Sequence, residues 1–145
     1  MGEGYELSRK GLGNGFSAVF LAPAGRPCFL DEMSRRKSSR QDAALIARTL
    51  LRVAQRGTEW ALTSETMKRL KGVGGNVAVF ETRNNEGKPI RVATYLHDDP
   101  ARTPVYLFEF VAHRGADGGI PKDTRKKAAA LAEEARRLME KEDRR

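Results

Sequence analysis

Three strand-like runs follow one another between Lys71 and Ala112: Asn76–Thr82 (NVAVFET), Pro89–Leu96 (PIRVATYL) and Pro104–Ala112 (PVYLFEFVA). No other stretch restricts the fold as strongly. Asn84-Asn85-Glu86-Gly87 separates the first two, and Asp98-Asp99-Pro100 precedes the third. Both are turn chemistries, because Gly accepts left-handed backbone and Asn or Asp side chains bond nearby amides. Short strands joined so closely pair antiparallel. In the first run Val77, Val79 and Glu81 alternate with Ala78, Phe80 and Thr82. In the second, Ile90, Val92 and Thr94 alternate with Arg91, Ala93 and Tyr95. Period two sends one set toward covering helices and the other toward solvent. The third run is more continuously apolar, as a central strand should be, and Glu109 interrupts it.

Two helical patterns flank these runs. One extends from Gln41-Asp42 to Arg56, with Gly57 as its stop. Its Leu45, Ile46, Leu50 and Val53 recur at helical spacing, and Arg48, Arg52 and Arg56 share another face. That arginine row is either a solvated face or a phosphate-facing ridge. The other helix opens at Pro121, where a missing N–H costs nothing. It carries a narrow apolar stripe of Ala128, Leu131, Ala135, Leu138 and Met139, coated by basic residues that include Lys122. Upstream, Phe16–Ala22 is strand-like and stops at Pro23-Ala24-Gly25, Pro27–Met33 is a short helix or loop, and Ser34–Ser39 is a basic break. Glu65–Leu70 suggests one or two helical turns, and 72–75 a flexible hinge. The expected organisation is a weakly ordered arm over 1–15, a single α+β domain over 16–140 and a frayed basic tail over 141–145.

Charge limits the partners. In 145 residues, 27 Lys and Arg against 19 Asp and Glu leave a net +8, which suits nucleic acid or another acidic surface. A basic surface that merely faces solvent fits the same balance. The single Cys28 forms no internal disulfide, so a reducing cytoplasm and a buried small side chain are expected. No run reaches transmembrane length and no secretory pattern is present, so no membrane partner is expected. Gly11-Leu12-Gly13-Asn14-Gly15 resembles a kinase glycine loop, but the chain lacks the Asp-based motifs that phosphoryl transfer needs. One Cys and two His at unrelated places do not make a zinc site, and no cofactor is expected.

The set that carries chemistry is Arg83, Arg91, His113 and Arg114, all at or near strand ends. Guanidinium groups hold phosphate through fixed charge and bidentate geometry. Such a cluster suits an RNA backbone and the charge that develops when a 2′-hydroxyl attacks its neighbouring phosphate. His113 titrates near neutral pH and would exchange the proton. The alternative is that Arg83 and Arg91 pair with Glu81 or Glu109 on the sheet.

These stretches, in order, resemble the RelE/ParE superfamily of toxins, in its HigB-like, phage-derived branch. The matching residues are Gly57, Arg69-Leu70-Lys71-Gly72, Glu81-Thr82-Arg83, Arg91-Val92-Ala93-Thr94-Tyr95, Phe110-Val111-Ala112-His113-Arg114 and Ile120-Pro121 with Ala128, over about Ala43–Leu138. The resemblance implies a curved antiparallel sheet of about four strands, helices packed on one face and the other face used for binding. It implies a metal-independent endoribonuclease that cuts messenger RNA on the ribosome and is neutralised by a cognate antitoxin. Arg83, Arg91, His113 and Tyr95 would then be catalytic, and Arg114, Lys122, Arg48 and Arg52 would bind RNA. Four features depart from the pattern: His113-Arg114 replaces paired lysines, Tyr95 sits one place late, Thr124 replaces an acidic residue and Gly115–Gly119 is inserted. They leave room for a rival reading, a non-catalytic phage-type regulator that grips host RNA polymerase.

Overall fold

The computed structural model describes residues 4–72, 76–99, 101–111 and 120–144. In chain order the elements are strands β1 (Tyr5–Gly13) and β2 (Phe16–Pro23), helices α1 (Phe29–Arg35), α2 (Arg40–Arg56) and α3 (Thr58–Thr63), strands β3 (Met67–Arg69), β4 (Val77–Arg83), β5 (Pro89–Tyr95) and β6 (Val105–Val111), and helix α4 (Lys122–Asp143). The fold is α+β. Its sheet has six strands in the order β1-β2-β6-β5-β4-β3, larger than the expectation of about four. The sheet is mixed, since β2 runs parallel to β6 while the other pairs are antiparallel.

β2 reveals how the layers stack. Ala18, Val19, Phe20, Leu21 and Ala22 are all buried, and a strand buried on both faces reads as a continuous apolar run. Ala18, Phe20 and Ala22 join Ala78, Phe80, Ile90, Val92 and Tyr106 beneath Ile46, Leu50 and Val53 of α2 and Leu30 and Met33 of α1. Val19 and Leu21 join Val77, Ala93, Tyr95, Val105 and Leu107 beneath Ala128, Ala132, Ala135 and Met139 of α4. Helices therefore cover both faces, which corrects the expectation that one face stays open for binding. α4 docks through small side chains spaced one turn apart, so its axis approaches the sheet closely. The aromatic pairs Phe20–Tyr106 and Phe80–Tyr106, with ring centroids 5.7 and 5.8 Å apart, fill the α2 side.

Local chemistry sets the element ends. Gly57 has φ +95°, and its N–H donates to the Val53 carbonyl, closing α2 at the predicted place. The Asn84–Gly87 turn joins β4 to β5 as expected. The Asn84 side chain accepts from the amides of Glu86 and Lys88, and Gly87 takes φ +77°.

Three further expectations are corrected. The arm expected at the start is strand β1, hydrogen-bonded along β2 through a Gly13-Asn14-Gly15 turn with positive φ throughout. Glu65–Leu70 contains strand β3, not helical turns, and the preceding helix is α3. The tail is ordered helix through Asp143, with Glu142 paired to Arg9 and Asp143 to Arg102, each at 2.9 Å. Of the two forms expected for Pro27–Met33, the helix is found: α1 opens at Phe29 and runs on to Arg35. Residues 73–75 of the expected hinge lie outside the described residues. Cys28 is buried, and burial pushes its thiol up, which disfavours the reactive thiolate.

Candidate phosphate-binding cleft

On the face that α4 covers, the helix stops short of one end of the sheet. The β4–β5 register sets Glu81 opposite Arg91 and Arg83 opposite Pro89. Period two turns Val79, Glu81, Arg83 and Arg91 to this face. β3 adds Lys68, opposite Val79. Between these strands and the start of α4 lies a cleft of about 370 Å³, lined by Lys68, Arg91 and Arg125, by Glu65 and Glu81, and by an apolar floor of Leu70, Val79 and Ile120. The volume is at the small end of ligand-sized clefts.

Glu81 organises the cations. Its carboxylate lies 3.1 Å from Arg91 Nε and 3.5 Å from Arg83 Nη2. Arg83 also donates from Nη1 to the Gly87 carbonyl at 3.1 Å, which ties it to the hairpin turn. Arg91 is the more enclosed guanidinium, with 19% of its side chain exposed against 64% for Arg83. Arg125 donates to the carbonyls of Ile120 and Lys71, at 3.2 and 3.3 Å, and so fastens the first turn of α4 to the end of β3. Three cations against two carboxylates leave the cleft net basic. A guanidinium facing an enclosed wall and a carboxylate beside it can hold a phosphodiester and accept a proton from a neighbouring hydroxyl.

The sequence-predicted residues separate. Arg83 and Arg91 meet through Glu81, so the ion-pair alternative holds for both of them at Glu81. Tyr95 shares the face of Arg91 but lies four residues along β5, roughly 13 Å away, with 4% of its surface exposed under α4. Burial there, with Asp98 adding, pushes its hydroxyl above the usual tyrosine range. Tyr95 is thus part of the packing against α4 and lies outside the cleft that Arg91 lines. Lys122 is exposed in the first turn of α4 and does not line the cleft. Arg48 and Arg52 are exposed on α2, across the sheet from the cleft. His113 and Arg114 lie outside the described residues.

Sequence reading missed Lys68 and Arg125 as cleft residues and saw Glu81 only as a pairing partner. The signal for Glu81 was present: the Asn84–Gly87 turn fixes the register, and register alone sets it against Arg91. Lys68 was hidden because β3 was read as helix. Among the described residues, no three His, Cys, Asp or Glu side chains converge to hold a metal ion, and no helix is long and apolar enough to cross a membrane. Comparison with protein-family models, curated proteins and solved structures returns no match to this chain.

Proposed function

We propose that the chain is an RNA-directed toxin of RelE/ParE type, a metal-independent endoribonuclease that binds messenger RNA on the ribosome in the Lys68–Arg91–Arg125 cleft. The observation that carries this reading is the Glu81–Arg91 pair at the cleft wall. Arg91, with Lys68 and Arg125 around it, holds the scissile phosphate and offsets the charge that accumulates as its oxygens become dianionic. Glu81 takes the 2′-hydroxyl proton as that oxygen attacks phosphorus. The P–O5′ bond breaks, leaving a 2′,3′-cyclic phosphate and a 5′-hydroxyl, whose proton comes from water or a neighbouring acid. The partners on this reading are the ribosome-bound messenger and a cognate antitoxin that covers the cleft.

The rival, a non-catalytic regulator gripping RNA polymerase, is favoured by one observation. α4 covers the sheet face that the resemblance leaves open, and it buries Tyr95. Inducible expression separates the two. Growth arrest with messenger cleavage at ribosomes, relieved by Arg91→Ala, supports the nuclease. Copurification with RNA polymerase while messenger stays intact rejects it in favour of the regulator.

A further inference from the structure

A second groove, of about 400 Å³, lies at the far side of the β4–β5 turn. Its walls are the start of α2 with the preceding linker (Lys37, Arg40, Asp42) and the turn itself (Asn84, Asn85, Glu86). We infer that this groove continues the cleft as a track for the RNA backbone, so that a strand held at Arg91 passes over Arg83 at the hairpin tip and onto Lys37 and Arg40. The inference rests on the cleft reading above and adds where the strand goes.

Three observations carry it. The two grooves open from opposite faces of the sheet and meet at the hairpin tip: from Glu81 in the cleft to Asn84 in the groove is three strand residues, roughly 10 Å, and Arg83 stands between them. The cations are available, since Lys37 and Arg40 are exposed and neither has a carboxylate partner among the described residues. Of the carboxylates in the groove, Glu86 is paired with Lys88 at 3.6 Å, and Asp42 sits in the first turn of α2, facing that helix's positive end. The linker is also held in shape. Ser39 Oγ donates to the Met33 carbonyl at 2.8 Å and Arg40 Nε to the Ser34 carbonyl at 3.3 Å. A cation on a fixed loop loses less freedom when it meets a phosphate than one on a mobile arm.

The occupant is single-stranded RNA backbone, because exposed Lys and Arg beside a phosphate cleft read charge rather than sequence. Binding is measured by fluorescence anisotropy with a 12-nucleotide RNA and a trinucleotide, both made uncleavable by 2′-O-methylation. Neutralising two phosphate contacts in Lys37→Ala/Arg40→Ala lowers the salt slope for the 12-mer by about 1.4, a loss of about 25-fold at 0.1 M salt. The trinucleotide, which fills only the cleft, binds unchanged. Lys37→Ala alone leaves the Arg40–Ser34 hydrogen bond in place and loses about fivefold. Lys141→Ala/Arg144→Ala removes the same charge from exposed positions at the far end of α4, about 24 Å beyond Arg125, past the Debye length of about 10 Å, and changes binding by less than about threefold. An equal loss in that control pair overturns the track in favour of net charge alone. An unchanged 12-mer affinity in Lys37→Ala/Arg40→Ala, with Arg91→Ala still weakening both RNAs, overturns the track and spares the cleft. Wild-type protein that binds neither RNA overturns both.

Discussion

Replacing Glu81 by Gln separates binding from chemistry within one side chain. A phosphate held by Arg91 sits roughly 6 Å from the Glu81 carboxylate, the 3.1 Å ion-pair separation plus about 2.8 Å for a guanidinium–phosphate hydrogen bond. Repulsion at that distance is about 0.7 kcal/mol in a water-like dielectric and about 2.8 kcal/mol near a protein surface. Screening at physiological salt roughly halves both values. Glu81→Gln therefore binds an uncleavable RNA about 2- to 10-fold more tightly. It also loses the proton acceptor, which slows cleavage by roughly 10²- to 10⁴-fold. Stability moves little, since each partly exposed ion pair contributes about 0.2–1 kcal/mol. Anisotropy with 2′-O-methyl RNA and single-turnover cleavage of ribosome-bound messenger read the two effects independently. Cleavage within about threefold of wild type would show that Glu81 is not the base. Weaker RNA binding would show that its task is to hold Arg83 and Arg91 in place, and the repulsion reasoning would fail.

The packing supplies further expectations. Tyr95→Phe leaves cleavage unchanged, because Tyr95 lies under α4, whereas Tyr95→Ala costs about 3–5 kcal/mol in urea unfolding. Met139→Ala, at a fully buried position of α4, costs about 2–5 kcal/mol; Arg102→Ala, which removes a partly exposed pair with Asp143 and a 4.0 Å contact to Met139 Sδ, costs about 1 kcal/mol, as urea titrations of both variants would show. Gly57→Ala meets open space but must hold φ +95°, so thermal unfolding shows a loss of about 1–3 kcal/mol with no cavity to account for it. Glu109 has its carboxyl raised by burial and by Asp42, against Lys127, so the folded state holds this proton more tightly than the unfolded chain does. Its contribution is greatest in acid and is lost as pH rises through the unfolded and then the folded value. Glu109→Gln accordingly stabilises at pH 7, a gain that fades below about pH 4. Urea midpoints across that range that keep a constant difference would contradict the burial.

The chain encodes its local elements openly. The β4–β5–β6 series, the stop of α2 at Gly57 and the start of α4 after Pro121 each follow from period-two alternation, turn chemistry or a helix terminus, all read within a few residues. The same register set Arg83 and Arg91 close together. What periodicity leaves open is the choice of partner. Tyr5–Gly13 is polar and glycine-rich, and it becomes a strand because β2, already paired with β6 on one side, offers its other edge. The parallel β2–β6 pairing joins Val19 to Val105 across most of the chain, a contact for which no local pattern exists. The α4 stripe shows that the helix buries one side, but only the continuous burial of Ala18–Ala22 shows a sheet that needs cover on both faces. That second layer removed Tyr95 from the solvent, and its starting turn, by ending where Arg125 meets Lys71, left the cleft open beside Glu81 and Arg91. Side-chain alternation is a property of neighbours, whereas the covering of a face is decided by the burial of the whole sheet, and so the cleft exists only in the assembled fold.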